Sequence, residues 1–512
     1  MQHALPTSFG WLGKKTALTF IVLFSLCMTL TGLIALYEGA TRFMQPFVSE
    51  GFAATAGQQV TQLRQQPTLE NLDGLSKELG NMARLTSVER FVDSRLPEHG
   101  LYYATMPAAN QVLLAAHIIL GVFCLLVGGF QFWPQFRKRF MKLHRLFGAL
   151  YVVTAPVSVV LSLVYLALTP PHHIYAHLVA WFALWLFGLL AIAAIVMAVR
   201  ALRARRLHEH QAWMALSLGC LIVAPMLRWN WVLLGLAFPQ IDQETLNLVT
   251  MVIMLPEVLL IGYALTLINR QYQRAMVRRP AAPIATRSRR FFLAAMPLWF
   301  ALAAVTIAIN TATWVFADGT LSLAPEGLIP GTLTEQESTA FQGSPGLGWL
   351  LTLGFAAALW LGLTLLKSLL AGQAERINKP RALLFTASCL LTAALAFHTG
   401  AQIGLTPNLT QFSGGTLYSL IGFLLTLFSL FFLGSYLSAN TALMKESLVF
   451  LLATLPFNAL LLASLWLVHG IALPADYLIA GQGYVLPAGA STGLFFVAML
   501  YVVFGQATRE HG

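Results

Sequence analysis

An all-α, polytopic transmembrane helix bundle is the fold class this sequence predicts, and three observations predict it. About a dozen apolar segments of roughly 17 to 25 residues recur along the chain, each as long as a helix must be to cross ~30 Å of hydrocarbon. Hydrophobic residues make up 57% of the 512 and charged residues only 10%, with a mean hydropathy of +0.71. That is more apolar surface than one soluble core of this length buries. The basic residues gather on alternate connections between the apolar segments, as a positive-inside topology requires.

Twelve spans are expected, at 16–36, 109–132, 144–168, 174–199, 212–237, 247–268, 291–316, 346–370, 382–402, 415–438, 447–470 and 490–507. The first forms a domain with the N-terminus (1–36) and doubles as a signal anchor, since no small-x-small cleavage site follows it. Residues 37–108 follow as an extracytoplasmic segment. They mix charges of both signs with Leu72, Leu75, Leu79, Met82 and Leu85 at helical spacing, which predicts a small helical cap. Thr68 ahead of Glu70 and Leu72 marks a helix start, although the spacing of a capping box is not met. Residues 109–270 supply five helices and most of the histidines, 271–290 form a basic cytoplasmic linker with Pro280 and Pro283, and 291–512 form a second membrane domain of six helices. Each half therefore reads as one helix, an outer segment and five helices. An even number of spans gives both halves the same orientation, the plan of parallel repeats.

With the N-terminus inside, segments 1–15, 133–145, 200–211, 270–290, 367–381, 439–446 and 508–512 hold most of the 31 lysines and arginines. The short outer loops carry none, and hold Asp242, Glu244, Asp318, Glu326, Glu335, Glu337 and Asp476 instead. The reading is a multi-pass protein of the bacterial cytoplasmic (inner) membrane with both termini cytoplasmic. Its net charge of +11 is explained by contact with the bilayer and its anionic lipid head groups, and points away from nucleic acid. Cys27, Cys124, Cys220 and Cys389 all fall inside spans and form no Cys-x-x-Cys pattern, so covalent haem attachment, a zinc knuckle and a disulfide framework lack support.

Two charges lie well inside expected spans, Arg228 in the fifth and Glu257 in the sixth. Each sits ten residues from the outer boundary of a short hairpin, about 15 Å deep, so the two are expected to pair, because a lone charge in hydrocarbon costs several kcal/mol. Pro225 and Pro256 stand near them and free backbone carbonyls that can line a polar cavity. An inert pair pinning two helices and a substrate or proton site both satisfy this pattern. The histidines add a second pattern. His117 lies in span two, His144 opens span three, His177 lies near the outer start of span four and His210 precedes span five. A b-type haem needs two imidazoles from different helices at similar depth. His144 and His210 meet that condition at the cytoplasmic boundary, whereas His117 and His177 differ by roughly 9 Å in expected depth. For any one interfacial histidine, a head-group or capping contact is the plain alternative.

His144-Arg145-Leu-Phe-Gly148-Ala-Leu-Tyr151, then His210-Gln-Ala-Trp213-Met214 and Leu227-Arg228, resemble the bacterial family of predicted membrane proteins of unknown function marked by His-Arg-x-x-Gly-x-x-Tyr and His-x-x-Trp-Met. The resemblance covers about residues 110–270 and implies no activity. A more distant similarity is to cytochrome b561-like electron carriers, whose second and fourth helices hold one haem and whose third and fifth hold another. That resemblance implies His144 and His210 as ligands of an inner haem iron, His117 and His177 as ligands of an outer one, and Arg145 or Arg228 as partners of the propionates.

Three functions are consistent with these residues. The first is a haem b electron-transfer or quinone-linked module using His144 and His210, and His117 with His177. The second is a proton- or ion-coupled secondary transporter with Arg228, Glu257 and His117 at its midplane, although the Gly-x-x-x-Asp-Arg-x-Gly-Arg loop of major-facilitator carriers is missing between spans two and three. The third is a non-catalytic scaffold or sensor reporting through the outer segment. No glycine-rich phosphate loop, Gly-x-Ser-x-Gly elbow or His-Glu-x-x-His occurs, which argues against ATP hydrolysis, serine hydrolysis and zinc proteolysis.

Overall fold

The computed structural model describes residues 14–48, 52–66, 68, 70–71, 102, 106–174, 177–238, 243–272, 290–344, 346–404, 414–471, 487 and 489. Among these residues every regular element is helical. Nine helices are long and apolar enough to cross a membrane, and two bent helix pairs bring the number to eleven. The expected span 490–507 lies outside the described residues. The chain divides into two compact units, Lys14–Gln273 and a second made of Arg274–Thr406 with Gln411–Gly512.

In the first unit, α1 (Lys14–Val48) outruns its apolar stretch Lys15–Tyr37, and α2 (Phe52–Gln65) follows. The backbone N–H of Asn71 donates to Thr68 Oγ1 at 3.3 Å, the bond by which a threonine caps a helix start. The leucine stripe from Leu72 to Leu85 lies outside the described residues. Next come α3 (Ala108–Gln131), a short α4 (Pro134–Arg139) and α5 (Met141–Leu168). Then α6 (His177–Arg203), α7 (Leu207–Leu221), α8 (Val223–Ala237) and α9 (Gln243–Tyr272) complete the unit. Helix α3 packs on α1 and α5, and α7 packs on α6 and α9. Ile21, Met28, Cys124, Tyr151, Ala155, Leu218 and Leu265 form the centre of its core. Small residues set the α7–α9 crossing, where a Cβ at Gly219 would lie 2.7 Å from the Val258 carbonyl oxygen. Without a hydrophobic drive between helices in lipid, such close backbone approach is a main source of packing energy.

The second unit begins with α10 (Met296–Thr311), which runs into a π-helical turn at Ala312–Phe316. A short α11 (Gly331–Gln342) precedes α12 (Leu347–Leu370), α13 (Lys379–Ile403) and α14 (Gly414–Leu437). Asn378 and Asn440 cap α13 and α15 by accepting from the N–H groups of Arg381 and Leu443. The unit's described residues close with α15 (Thr441–Thr454) and α16 (Phe457–His469). Gly348 lets α12 approach the π turn so closely that a Cβ there would lie 2.0 Å from the Trp314 carbonyl oxygen.

Two stretches expected as single spans are broken. Glu209–Leu221 and Val223–Ala237 meet at 57°, and Thr441–Thr454 and Phe457–His469 meet at 48°. Pro456 accounts for the second break, because it lacks an N–H and its ring opposes the carbonyl four residues back. Pro225 acts on the first in the same way, leaving the Leu221 carbonyl without its helical donor. Pro156 and Pro256 stand inside continuous helices, so a proline in a span predicts a freed carbonyl better than it predicts a bend.

Candidate functional site

The sequence-singled histidines separate into two situations. His144 lies in the first turn of α5, after Phe140 interrupts the chain between α4 and α5 with an extended-bridge conformation (φ −125°, ψ 52°). His210 lies in the first turn of α7, after a reversal at 204–206 in which Arg205 adopts φ 57° and the Arg206 N–H returns to the Ala201 carbonyl at 2.8 Å. That tight reversal lays the His210 ring over the last turns of α6, where its Nδ1 stands 3.0 Å from the Ala198 carbonyl. A carbonyl can only accept, so Nδ1 carries the proton and Nε2 is left bare.

The register of α5 against α7 brings the two imidazoles to one level. Tyr151, seven residues after His144, bonds Ser217, seven residues after His210, at 3.1 Å. Seven residues are close to two full helical turns, about 10.5 Å of rise with little rotation, so in both helices the histidine stands on the face of the contacting hydroxyl, two turns before it. The electrostatic neighbours of His144 are accordingly His210, Arg137 and Arg145. The His144 Nδ1 is buried and has no hydrogen-bond partner. Arg145 itself is exposed at the mouth of this region.

His117 is held differently. Its Nδ1 sits 2.9 Å from the Ser158 carbonyl and 3.0 Å from Ser158 Oγ, and Ser158 Oγ donates to the His117 carbonyl at 2.9 Å. This is an α3–α5 clasp. His177 opens α6 with φ 47°, a left-handed conformation that non-glycine residues adopt at a cost. No hydrogen bond joins His117 to His177 among the described residues.

The expected ion pair between Arg228 and Glu257 is not formed. Glu257 Oε2 accepts from Asn230 Nδ2 at 2.7 Å, and Arg228 donates to the carbonyl of Ala224 on its own helix at 2.8 Å. Two residues along a helix are about 200° apart in azimuth, so once Asn230 faces α9, Arg228 is carried to another side. Asn230, which the sequence reading left out, is therefore the partner of the intramembrane carboxyl. Its signal was there to be read, as an amide two residues from Arg228 in an apolar span.

The second unit contains a polar cluster that the sequence reading also left out. The Glu337 carboxylate accepts from the Leu321 N–H at 2.7 Å and the Tyr418 hydroxyl at 3.3 Å, while Trp314 Nε1 donates to that hydroxyl at 2.7 Å. The Thr320 hydroxyl donates to Asn458 Oδ1, and Asn458 Nδ2 donates to Asn310 and Thr313 at 3.0 and 2.8 Å. All these side chains are buried. Burial pushes the Glu337 carboxyl above its ordinary value, opposed by the hydrogen bonds from Leu321, Thr320 and Tyr418. The Asn310 and Asn458 amides, each alone in an apolar span, were its readable trace.

Among the described residues no group of three or more His, Cys, Asp or Glu stands ready for a metal ion, so any metal at the His144 and His210 pair must arrive with ligands of its own. Residues 114–265 match the model of a family described as "Predicted membrane protein (DUF2306)". That match spans α3 to most of α9, the part of the first unit that carries the histidines. No curated protein and no solved structure matches the chain.

Proposed function

We propose that the first unit is a membrane electron-transfer module that holds one haem b between His144 and His210. The observation that carries this reading is the shared register of the two imidazoles above the Tyr151–Ser217 contact. The donor set fits the group. His210 has its Nδ1–H fixed on a backbone carbonyl, the outer-sphere arrangement typical of metal-bound histidine, and the buried His144 Nδ1 lacks a protein partner. Arg145 lies within electrostatic reach of His144 and suits the carboxylates of the propionates. A haem held there supplies reversible one-electron transfer, and a membrane quinone or another redox carrier is the class of partner such a module serves. The α3–α5 clasp leaves His117 outside the ligand pair, so this reading has one haem.

The test is a dithionite-reduced minus oxidised spectrum of the full-length protein, purified in mild detergent from haem-supplied cells. Sharp α and Soret bands are expected, lost in His144→Ala and His210→Ala and kept in His117→Ala at equal expression. A featureless wild-type spectrum overturns the reading.

A second reading, proton-coupled transport, is favoured by the broken α7–α8 span beside the Glu257–Asn230 contact, since discontinuous helices and intramembrane carboxyls build transporter sites. Glu257→Gln is then expected to abolish dye-reported proton movement in proteoliposomes. Movement that survives the change defeats it.

A further inference from the structure

Helix α4 turns Arg137 inward while its neighbours Lys138 and Arg139 stay exposed. Arg137 Nη2 donates to Asn269 Oδ1, near the end of α9, at 2.9 Å, which uses one of the five N–H donors of a guanidinium. No described carboxylate forms an ion pair with Arg137. Burial draws its guanidinium below the ordinary arginine value. A half-buried cation without a counter-ion is a costly arrangement in a protein.

Three more donors share this corner. Asn269 Nδ2, Gln131 Nε2 and Trp133 Nε1 are all buried with no acceptor, and the two amide side chains are only 2% and 7% exposed. Gln131 ends α3, Trp133 leads into α4 and Asn269 lies near the end of α9. Native proteins leave few buried donors unsatisfied; of these, Asn269 is bonded to Arg137, and Gln131 and Trp133 precede Arg137 by six and four residues in the chain. Water could satisfy the donors but not the charge. A carboxylate offers two oxygens, whereas a bidentate guanidinium with three further N–H groups from separate elements calls for three or more.

We propose that this corner is an oxyanion site for a phosphate group, held by Arg137, Asn269, Gln131 and Trp133. The exposed Lys138, Arg139, Lys142 and Arg145 draw anions toward it. Exposed Phe140, Met141, Leu143 and Leu146 flank it at the start of a membrane span, where phospholipid head groups lie. The phosphate belongs either to such a head group or to a soluble phosphorylated molecule. The site does not rest on the haem reading, and His144 is no part of it.

The test uses the full-length protein in detergent. Native mass spectra are recorded with added phosphatidylglycerol, and thermal unfolding is followed in inorganic phosphate against chloride at constant ionic strength. The wild type is expected to keep one bound phospholipid, identifying a head group, or to gain stability from phosphate alone, identifying a soluble ligand. Asn269→Asp sets a carboxylate against Arg137, so it is expected to fold with undiminished ligand-free stability and lose the ligand by about tenfold or more in affinity. Lys138→Gln, which removes an exposed charge, is expected to bind like the wild type. A wild type indifferent to both ligands overturns the proposal, as does Asn269→Asp binding like the wild type.

Discussion

A hydroxyl contact two turns away fixes where the His144 and His210 imidazoles stand, because Tyr151 and Ser217 lock the register of their helices. Tyr151→Phe removes one buried hydrogen bond while the Ser217 hydroxyl keeps its bond to the Met214 carbonyl, and a loss of about 1 kcal/mol in unfolding free energy is expected, read by thermal or denaturant unfolding in detergent. Asn230→Leu leaves the Glu257 carboxyl without its amide donor and is expected to cost about 1–3 kcal/mol; Arg228→Gln, with no bond to Glu257 to lose, is expected to leave that carboxyl's surroundings unchanged. Glu337 gives a pH-dependent expectation. Its folded value is raised, so its contribution to stability is complete below the ordinary glutamate value of about 4.3 and is lost as pH rises through the folded one. The melting temperature should therefore fall with rising pH above that ordinary value, and Glu337→Gln should flatten the trend. That His144 and His210 each open a helix was legible in the sequence, because each follows a basic turn at a span boundary. The partner of Glu257 was not, since depth can be counted from a boundary but azimuth depends on which face the neighbouring helix takes.

Helix length and apolarity made nearly every span legible, from 109–132, found at Ala108–Gln131, to 346–370, found at Leu347–Leu370. The breaks at Ile222 and Leu455–Pro456 were not, because hydropathy averages over a window and is blind to the direction of the axis. Contacts between helices were equally hidden, since they hang on single glycines. Gly219→Val puts a branched side chain where a Cβ already meets the Val258 carbonyl at 2.7 Å, so the α7–α9 crossing must open, at an expected cost of about 1–3 kcal/mol. Gly348→Ala meets the Trp314 carbonyl at 2.0 Å and is expected to disturb the π turn and, through the Trp314–Tyr418 bond, the Glu337 cluster. Tryptophan fluorescence and thermal unfolding check both.

For the molecule as a whole, the positive-inside rule expects the basic connections on the cytoplasmic side. Single-cysteine labelling in intact cells checks this with little background, since three native cysteines are buried and Cys27 is half-buried. Lys138→Cys is expected to resist a membrane-impermeant maleimide and Thr332→Cys to react with it. Each unit bends its fifth expected span close to the middle, 13 residues against 15 in one and 14 against 13 in the other. An unbroken spanning helix keeps both poles of its macrodipole in water at the membrane surfaces. At each break the carbonyls that end one half and the N–H groups that begin the next stand side by side, so their opposite half-charges cancel at a distance. What remains in each unit is a local patch of backbone polarity in the middle of an apolar span, independent of pH.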